Sequence, residues 1–482
     1  MAKLLGAGST AGRVASAPTV QPRRSASRVV PHLPLVLDGL RVSLFLLIVI
    51  NVSRVHQAIA IVGKARPALT LVFLAGAFVL LRPKAASTAA LFKTTEAKLI
   101  AALFVLACVS AVAGISLGNS AKFILENYVK VVIAAFLLLA GIRHTRDLYT
   151  LVLAYVAACG ILAGMALFMF RLTRGAEDQV ARLGKLYTFD ANDIGVVLMV
   201  GLPLAILIFR HSTGLRKWLA IGVVMAIGAS LARSGSRGAL VGLVATGGFL
   251  LLALKTIPVW KRAAFVCAVG IGLAIAAPPG YWLQMKTILG YHHDYNWTSE
   301  DGRRQLIVRG LGYMMSNPAT GVGIYNFARA ECLSDLSEKV RNYVRGTGIR
   351  CTAPHNTYIE VGAETGITGL VLWSLLVLCA PWRMRKLRRR LPAGWKKGDA
   401  EQRFLYDATL YLPVAVMGFA FTSFFVTFAW IDIIYIVMVF QAGLTLVVKK
   451  RLAQEQGAVT PAPSRRGSVP LPVQTVPSLP SP

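Results

Sequence analysis

Long runs of apolar residues, each close to the length that crosses a bilayer, recur between residues 35 and 448. A helix needs roughly 20 mostly apolar residues to span the hydrocarbon core, where no water satisfies loose backbone groups. The pattern predicts an all-α membrane protein with about twelve transmembrane helices. The predicted spans are 35–53, 67–81, 99–117, 123–141, 148–170, 192–209, 218–233, 238–254, 263–282, 356–380, 406–427 and 431–448.

Composition agrees with this pattern and excludes one class of partner. Of the 482 residues, 15% are charged, compared with about a quarter in soluble domains. The net charge of +31 could suit nucleic acid, but such a footprint gathers on a soluble domain with interleaved aromatic residues. Here the basic residues separate apolar runs. We therefore expect membrane lipids as neighbours and no nucleic-acid partner.

The distribution of lysine and arginine predicts the orientation, because cytoplasmic loops of membrane proteins are enriched in these residues. Twelve spans place both termini on the same side of the membrane. The basic segment 383–405, with three consecutive arginines at 388–390, lies on that side too. We therefore expect both termini in the cytoplasm, and loops 171–191 and 283–354 on the outer side.

These expectations divide the chain into five segments. Both tails are expected to be disordered. The first is basic, with Ser, Ala and Pro and no acidic residue, and the second is rich in Pro, Ser and Val. The segments are a basic cytoplasmic arm at 1–34, spans one to nine at 35–282, a large outer loop at 283–354, spans ten to twelve at 355–450, and a cytoplasmic tail at 451–482.

The six cysteines fall into two groups. Cys332 and Cys351 share the outer loop, where an oxidising compartment would favour a disulfide. That bond would close a loop of about 20 residues and stabilise it by ~3 kcal/mol, although two free thiols are the alternative. The other four lie in apolar spans as small core residues: Cys108, Cys159, Cys267 and Cys379.

Ionisable residues inside the predicted spans need partners, since charge at membrane depth is costly. Lys122, Glu126 and Lys130 recur every four residues and therefore share one helix face. We interpret them as an internal ladder of ion pairs. Asp432, in the last span, is expected to pair with an arginine.

The segment RSGSRGALVG joins the seventh and eighth spans on the outer side and brings Arg233 and Arg237 together over a Ser-Gly-Ser turn. Snorkelling of both side chains to the interface is one explanation. Two guanidinium groups on a short turn also form a fork that suits phosphate oxygens. A buried anion would readily offset the cost of keeping both there.

The segment TAPHNTYIE begins the tenth span on the same side. Thr352 and Pro354 are residues that start helices, so His355 lies in or beside the first turn. The positive end of the helix dipole favours a neutral imidazole and also attracts anions. A catalytic base and a structural histidine are both open at this point.

Two other parts of the outer loop have distinctive sequences. The sequence His-His-Asp at 292–294 has no second ligand cluster, so no metal site is expected there. Residues 303–316 have an apolar and a basic face, which predicts a helix lying on the membrane surface.

Taken together, these segments resemble the O-antigen ligase and polymerase family of bacterial surface polysaccharide assembly. The likeness, counting the number and order of the spans, covers most of residues 35–450. It is carried by RSGSRGALVG (233–242), DGRRQLIVRGLGYMMSNPATGVGIYNF (301–327), HNTYIEVGAETGITG (355–369) and, more weakly, RLGKLYTFDANDIG (182–195).

The resemblance implies a metal-independent glycosyltransferase of the helical membrane class, in the bacterial inner membrane, with its active site facing the periplasm and no cofactor. The donor would be a glycan on undecaprenyl diphosphate, and the acceptor lipid A–core for a ligase or a second lipid-linked glycan for a polymerase. By the same resemblance, His355 would deprotonate the acceptor hydroxyl, while Arg233 and Arg237 would hold the diphosphate. Arg304 and Arg182 would assist with phosphates.

Two alternatives remain open on the sequence. The motifs do not separate a ligase from a polymerase, since both attack the same donor. A polysaccharide transporter could also have about twelve helices, but transporters place ionisable residues near the midplane and often show two similar halves. Here the distinctive charges cluster at one surface.

Overall fold

The computed structural model describes residues 33–88, 91–170, 172–173, 182–183, 188–253, 258–290, 302–333 and 352–459. The larger helices of these residues are numbered α1 to α15. They are α1 Gly39–Ser53, α2 Pro67–Leu81, α3 Thr95–Ala113, α4 Leu117–Gly141, α5 Thr145–Phe168, α6 Ala191–His211, α7 Gly214–Ser234, α8 Arg237–Ala253, α9 Val259–Ala276, α10 Tyr281–Lys286, α11 Arg303–Ser316, α12 Thr357–Val377, α13 Ala380–Arg388, α14 Ala400–Thr422 and α15 Asp432–Val459.

Smaller elements connect these helices. A π-helical turn, Ile124–Tyr128, interrupts α4. Two-residue strands β1, Leu172–Thr173, and β2, Arg182–Leu183, pair antiparallel after α5. The remaining short helices are Val55–Ala58, Ala60–Lys64, Pro83–Ala85, Ala393–Lys397 and Ser423–Phe425.

The predicted all-α membrane protein is confirmed. Within the described residues, nine helical segments are long and apolar enough to cross a membrane, with α12 and α13 counted as one. The shorter apolar helices are α1, α2 and α8, and each predicted span falls on one of these helices. The number of crossings and the orientation stay predictions.

Side-chain caps account for several helix starts. Asp190 begins α6 by accepting hydrogen bonds from the Asn192 and Asp193 N–H groups, and the Asp193 carboxylate bonds back to the Asp190 N–H. Asn356 begins α12 in the same way, since its side chain accepts from the N–H groups of Tyr358 and Ile359. Such caps satisfy N–H groups that have no partner inside the helix.

The core lies between α5, α6, α14 and α15, which are the most buried spans. Around this core, α7 packs against α5 and α6, and α8 packs against α6 and α14. The backbone of α8 comes close to α14 because it carries glycine where a Cβ would collide, at Gly238 with Phe425 and at Gly242 with Thr422. This contact fixes the beginning of α8 against the end of α14.

Two predictions about intramembrane charge have different outcomes. Asp432 is buried and pairs with Arg54 at 3.4 Å between oxygen and nitrogen, as expected. The internal ladder on α4 is wrong, because Lys122, Glu126 and Lys130 are all exposed. The buried Ile124 and Tyr128 occupy the inward face of this helix instead.

The expected tail also begins later than the sequence suggested. Helix α15 continues to Val459, so residues 451–459 are helical. Polar contacts at the end of the helix explain the extension: Arg451 pairs with Asp399 and Glu455, and Glu455 accepts a hydrogen bond from Trp395.

The cysteines in the spans are free thiols. Cys332 takes part in a disulfide. Cys351 lies outside the described residues, so the pairing of Cys332 with Cys351 stays a prediction. The triplet at 292–294 lies outside them as well.

Candidate functional site

His355 lies directly before Asn356, the cap of α12. We term the end of the helix bundle where His355 lies the site end. The His355 backbone is in the left-handed region, with φ 46°, which few residues other than glycine adopt. The His355 N–H donates to the Thr427 hydroxyl oxygen at 3.1 Å, and this bond helps hold the conformation. The His355 backbone is therefore held between the start of α12 and the segment that joins α14 to α15, and its side chain is half-buried.

The turn between α7 and α8 is built by its small residues. Gly235 ends α7 with φ 62°, a conformation that glycine adopts without strain. Ser236 then starts α8, because its hydroxyl oxygen accepts from the Ala239 N–H at 3.1 Å. The same hydroxyl donates to the side-chain oxygen of Asn192 at 2.7 Å. The turn is thereby tied to the first residues of α6.

Both predicted phosphate-binding arginines flank this turn and are half-buried. One Nη of Arg233 donates to the Phe170 carbonyl at 3.2 Å, while its buried Nε has no hydrogen-bond partner among the described residues. One Nη of Arg237 donates to the Thr287 hydroxyl at 2.8 Å. A buried donor without an acceptor is costly, so Arg233 is suited to an anionic ligand.

The paired arginines and His355 lie at the same end of the bundle. Gly238, next to Arg237, packs on the side chain of Phe425. The guanidinium carbon of Arg303 lies 5.8 Å from the centre of the Phe425 ring. Two residues further on, Thr427 bonds to His355. One short segment thus contacts all three parts of the site.

Two charges act on the His355 imidazole. Burial lowers its pKa below the ordinary value, the nearby Arg303 guanidinium lowers it further, and the Asp190 carboxylate opposes both. A lowered pKa leaves the imidazole neutral at neutral pH. The site therefore combines a proton acceptor with guanidinium groups.

Glu364, which no sequence motif had indicated, holds two loops against α12 beneath His355. This buried α12 carboxylate accepts hydrogen bonds from the Tyr325 N–H at 2.8 Å, the Trp430 indole N–H at 2.8 Å and the Phe327 N–H at 3.3 Å. Two separate loops are therefore anchored on one side chain. The available signal was an acidic residue in an apolar run, which is rare without a function.

Glu360, one turn earlier, has a related role. Its carboxylate is buried and accepts from the Ala429 N–H at 2.9 Å. Ala429 lies two residues beyond Thr427, the partner of His355. Together the two glutamates fix the α14–α15 connection against α12, and through it the position of His355.

Helix α12 is broken where a loop docks against it. Gly366 has φ 73° and ψ −174°, which interrupts the helix without ending it. The Val322 N–H donates to the freed Ala363 carbonyl at 2.8 Å, and the Ile367 N–H donates to the Pro318 carbonyl at 2.7 Å. Residues 318–323 are thus the loop that docks at the break.

Helix α11 packs closely on α12, and its predicted position on the membrane surface stays a prediction. It runs parallel to α12, with Gly310 packed against Ile359 and Met314 against Gly362. The glycines allow this close approach because they have no side chain. Helix α11 thus leads from the site end down to the break in α12.

The other predicted site residues are placed differently. The Arg304 side chain is exposed, and its neighbour Arg303 is the arginine that acts on His355. Arg182 lies in β2, and its backbone register with Thr173 is all that the structure describes. The roles of both residues stay predictions.

The comparison with known families covers these same elements. Residues 221–374 match the sequence model of the O-antigen ligase family. The chain carries an O-antigen ligase domain. This domain runs from within α7 to the last turn of α12 and contains the paired arginines, Arg303, His355 and both glutamates. No curated protein matches the chain.

The family resemblance drawn from the sequence is therefore confirmed. The match indicates a membrane enzyme of O-antigen assembly, with lipid-linked glycans as substrates. Several residues that build the site lie beyond the matched O-antigen ligase domain. They are Asp190 and Asn192 on α6, and Phe425, Thr427 and Trp430 after α14.

Proposed function

We propose that the protein transfers a glycan from undecaprenyl diphosphate to a lipid A–core acceptor, as an O-antigen ligase. The proposal rests on the position of the His355 imidazole, whose pKa burial and Arg303 lower, at the same end of the bundle as three arginines. The short segment after α14 contacts the elements that carry all of these residues. We further propose that this end faces the periplasm, that the membrane is the bacterial inner membrane, and that both termini are cytoplasmic.

The chemistry is a displacement at the anomeric carbon. The acceptor hydroxyl oxygen forms a bond to that carbon as the bond from the carbon to the phosphate oxygen breaks. The proton of the hydroxyl passes to the His355 imidazole, and undecaprenyl diphosphate leaves with both bonding electrons. A single displacement of this kind inverts the anomeric configuration.

The arginines act on the leaving group. Negative charge develops on the diphosphate in the transition state, and fixed guanidinium donors stabilise it without reorganising. We assign this role to Arg233 and Arg237, with Arg303 between the diphosphate and the imidazole. Arg304 and Arg182 are proposed to assist, and no metal or cofactor is expected to take part.

The acceptor decides between a ligase and a polymerase. Purified protein in lipid nanodiscs is given a lipid-diphosphate-linked glycan, with lipid A–core in one reaction and without it in the other. The expected result is glycosylated lipid A–core in the first reaction and no longer glycan chains in the second. Chain extension with donor alone would identify a polymerase and contradict the proposed acceptor.

The pH dependence of transfer should report the two charges beside His355. Transfer needs the neutral imidazole, so the rate should fall as the pH drops through the lowered pKa. Arg303→Gln removes a cation that lowers this pKa and should move the acidic limb to higher pH. Asp190→Asn removes the opposing carboxylate and should move it to lower pH, while asparagine still caps α6.

The measurement is kcat against pH at saturating donor, so that weaker diphosphate binding does not distort the limb. Arg304→Gln is the matched control for the position of the acidic limb, because Arg304 is exposed and does not act on the His355 pKa. Its proposed role with the phosphates would change the rate and leave the limb in place. If the acidic limbs of the pH profiles coincide for the Arg303→Gln and Asp190→Asn variants, His355 is not the titrating base.

A further inference from the structure

Arg54, the residue that caps the end of α1, lies beside the elements that hold the candidate functional site. Its guanidinium carbon is 5.3 Å from the centre of the Phe189 ring. The centre of that ring is 6.0 Å from the centre of the Phe428 ring. Phe189 comes directly before Asp190, and Phe428 comes directly after Thr427. Arg54 is therefore a further arginine at the site end.

The hydrogen-bonding capacity of the Arg54 guanidinium is largely unused. One Nη lies 3.4 Å from a carboxylate oxygen of Asp432, whereas strong charge-assisted bonds measure about 2.7–2.9 Å. The Nε is buried and has no hydrogen-bond partner within the described residues. The side chain as a whole is 22% exposed, so a ligand can approach it. Because an unpartnered buried donor is costly, the guanidinium is suited to a further acceptor.

The short segment after Arg54 adds a second unpartnered nitrogen. The Nδ1 of His56 is buried and has no hydrogen-bond partner in the described part of the chain. The side-chain oxygen of Gln57 accepts a hydrogen bond from the Thr188 hydroxyl at 3.0 Å. Since Thr188 is the residue before Phe189, this bond holds the segment against the start of α6. The described structure thus leaves two buried nitrogen atoms, two residues apart, without a partner at the site end.

Pairing with Asp432 accounts for only part of this arrangement. An arginine that only neutralises a carboxylate can place two N–H groups on its two oxygens. Here the Arg54 backbone is in the left-handed region, with φ 55°, and its N–H donates to the Ile50 carbonyl at 3.1 Å. From this position the side chain meets Asp432 through one nitrogen. Other N–H groups of the guanidinium are left for a ligand.

We propose that Arg54 binds a phosphate group of a substrate lipid at the site end. Phosphate oxygens suit a guanidinium because several acceptors can face its fork of N–H groups. The proposed reaction offers two sources of this chemistry, the diphosphate of the donor and the phosphates of lipid A–core. The inference rests on the proposed function and adds a binding residue outside the matched O-antigen ligase domain, which begins at residue 221.

Direct binding tests the assignment without relying on turnover. Purified protein in detergent micelles is titrated with undecaprenyl diphosphate in one series and with lipid A–core in another. The bound fraction is read by native mass spectrometry. Arg54→Lys keeps a cation beside Asp432 but replaces the fork by a single ammonium group. It should weaken binding of at least one of the two lipids by about ten-fold, and the lipid affected identifies the source of the phosphate.

A cycle of variants with Asp432 separates lipid binding from folding. Arg54→Gln alone leaves the buried Asp432 carboxylate unpaired and should lower the unfolding midpoint. Asp432→Asn removes that carboxylate, so adding Arg54→Gln to it should leave the midpoint unchanged and still weaken lipid binding by about ten-fold. If the double variant binds both lipids as tightly as Asp432→Asn does, Arg54 serves the ion pair alone and the proposal fails.

Arg66→Gln is the matched control, because Arg66 also has a left-handed backbone, with φ 46°, but is exposed before α2. It should bind both lipids as wild type does, and an equal loss would assign the effect to net charge and contradict the proposal. A wild-type chain that binds neither lipid would also overturn it.

The acceptor assay distinguishes this inference from the proposed function. Lipid binding that depends on Arg54, without glycan transfer by the wild-type protein, would contradict the proposed function alone. Normal transfer, with unchanged lipid binding in Arg54→Lys and in the double variant, would contradict the role of Arg54 alone.

Discussion

Replacing His355 by alanine should abolish glycan transfer, lowering turnover by about 10²–10⁴-fold, the usual contribution of a general base. We propose the imidazole as the proton acceptor, with a pKa that burial and the Arg303 guanidinium lower and the Asp190 carboxylate raises. Without it, the acceptor hydroxyl must lose its proton to water. The rate is measured in nanodiscs at saturating donor and acceptor, so that the loss appears in kcat.

Two further variants separate chemistry from folding. Asparagine tolerates the left-handed backbone of position 355 better than alanine does, so His355→Asn should be folded and equally inactive. His144→Ala is the control at the opposite end of the bundle, where His144 bonds to Lys450 near the far end of α15. It should leave turnover unchanged. Full turnover by the His355→Asn enzyme would show that His355 is not the general base.

The sequence predicted the membrane fold well because the signal is local. Each apolar run is long enough to specify a helix on its own, and α2 begins and ends where the sequence placed it. Which side of a helix faces the core is not determined by its own sequence alone. The spacing of Lys122 and Lys130 shows that they share a face, but only packing of Tyr128 against Tyr435 and Trp430 shows that this face points outward.

Part of the candidate site could also be predicted, because some of its motifs are local in the sequence. The arginines around the Ser-Gly-Ser turn and the histidine before α12 are recognisable from short motifs. That Arg303, not Arg304, acts on the His355 pKa depends on the rotation of α11, because adjacent residues on a helix point about 100° apart. That rotation follows from the packing of Gly310 on Ile359, which no pattern within α11 reveals.

The role of Glu364 could not be predicted, because its partners are distant in sequence. It accepts bonds from backbone and indole N–H groups at positions 325, 327 and 430. Backbone donors are present at nearly every residue, so they carry no sequence signal. The sequence shows that an acid in this span needs a partner, and only the fold shows which groups supply it.

Replacing Glu364 by alanine should destabilise the protein by several kcal/mol. The substitution leaves three N–H groups without their acceptor, and each buried donor without a partner costs about 1–3 kcal/mol. The loops that hold Tyr325 and Trp430 would both detach from α12. The measurement is the unfolding midpoint in mixed detergent micelles titrated with a denaturing detergent.

Two further variants test whether the hydrogen bonds of Glu364 stabilise the fold. Glu364→Gln keeps one oxygen acceptor but loses the other, so its midpoint should fall between those of wild type and Glu364→Ala. Glu401→Ala removes a partly exposed carboxylate that pairs with Arg146 at 3.1 Å, and such pairs contribute less than about 1 kcal/mol. Because the Trp430 loop also carries Thr427, folded Glu364→Gln should turn over more slowly than wild type. Equal midpoints for Glu364→Ala and Glu401→Ala would mean that the loops are held by other contacts, and that Glu364 does not position His355.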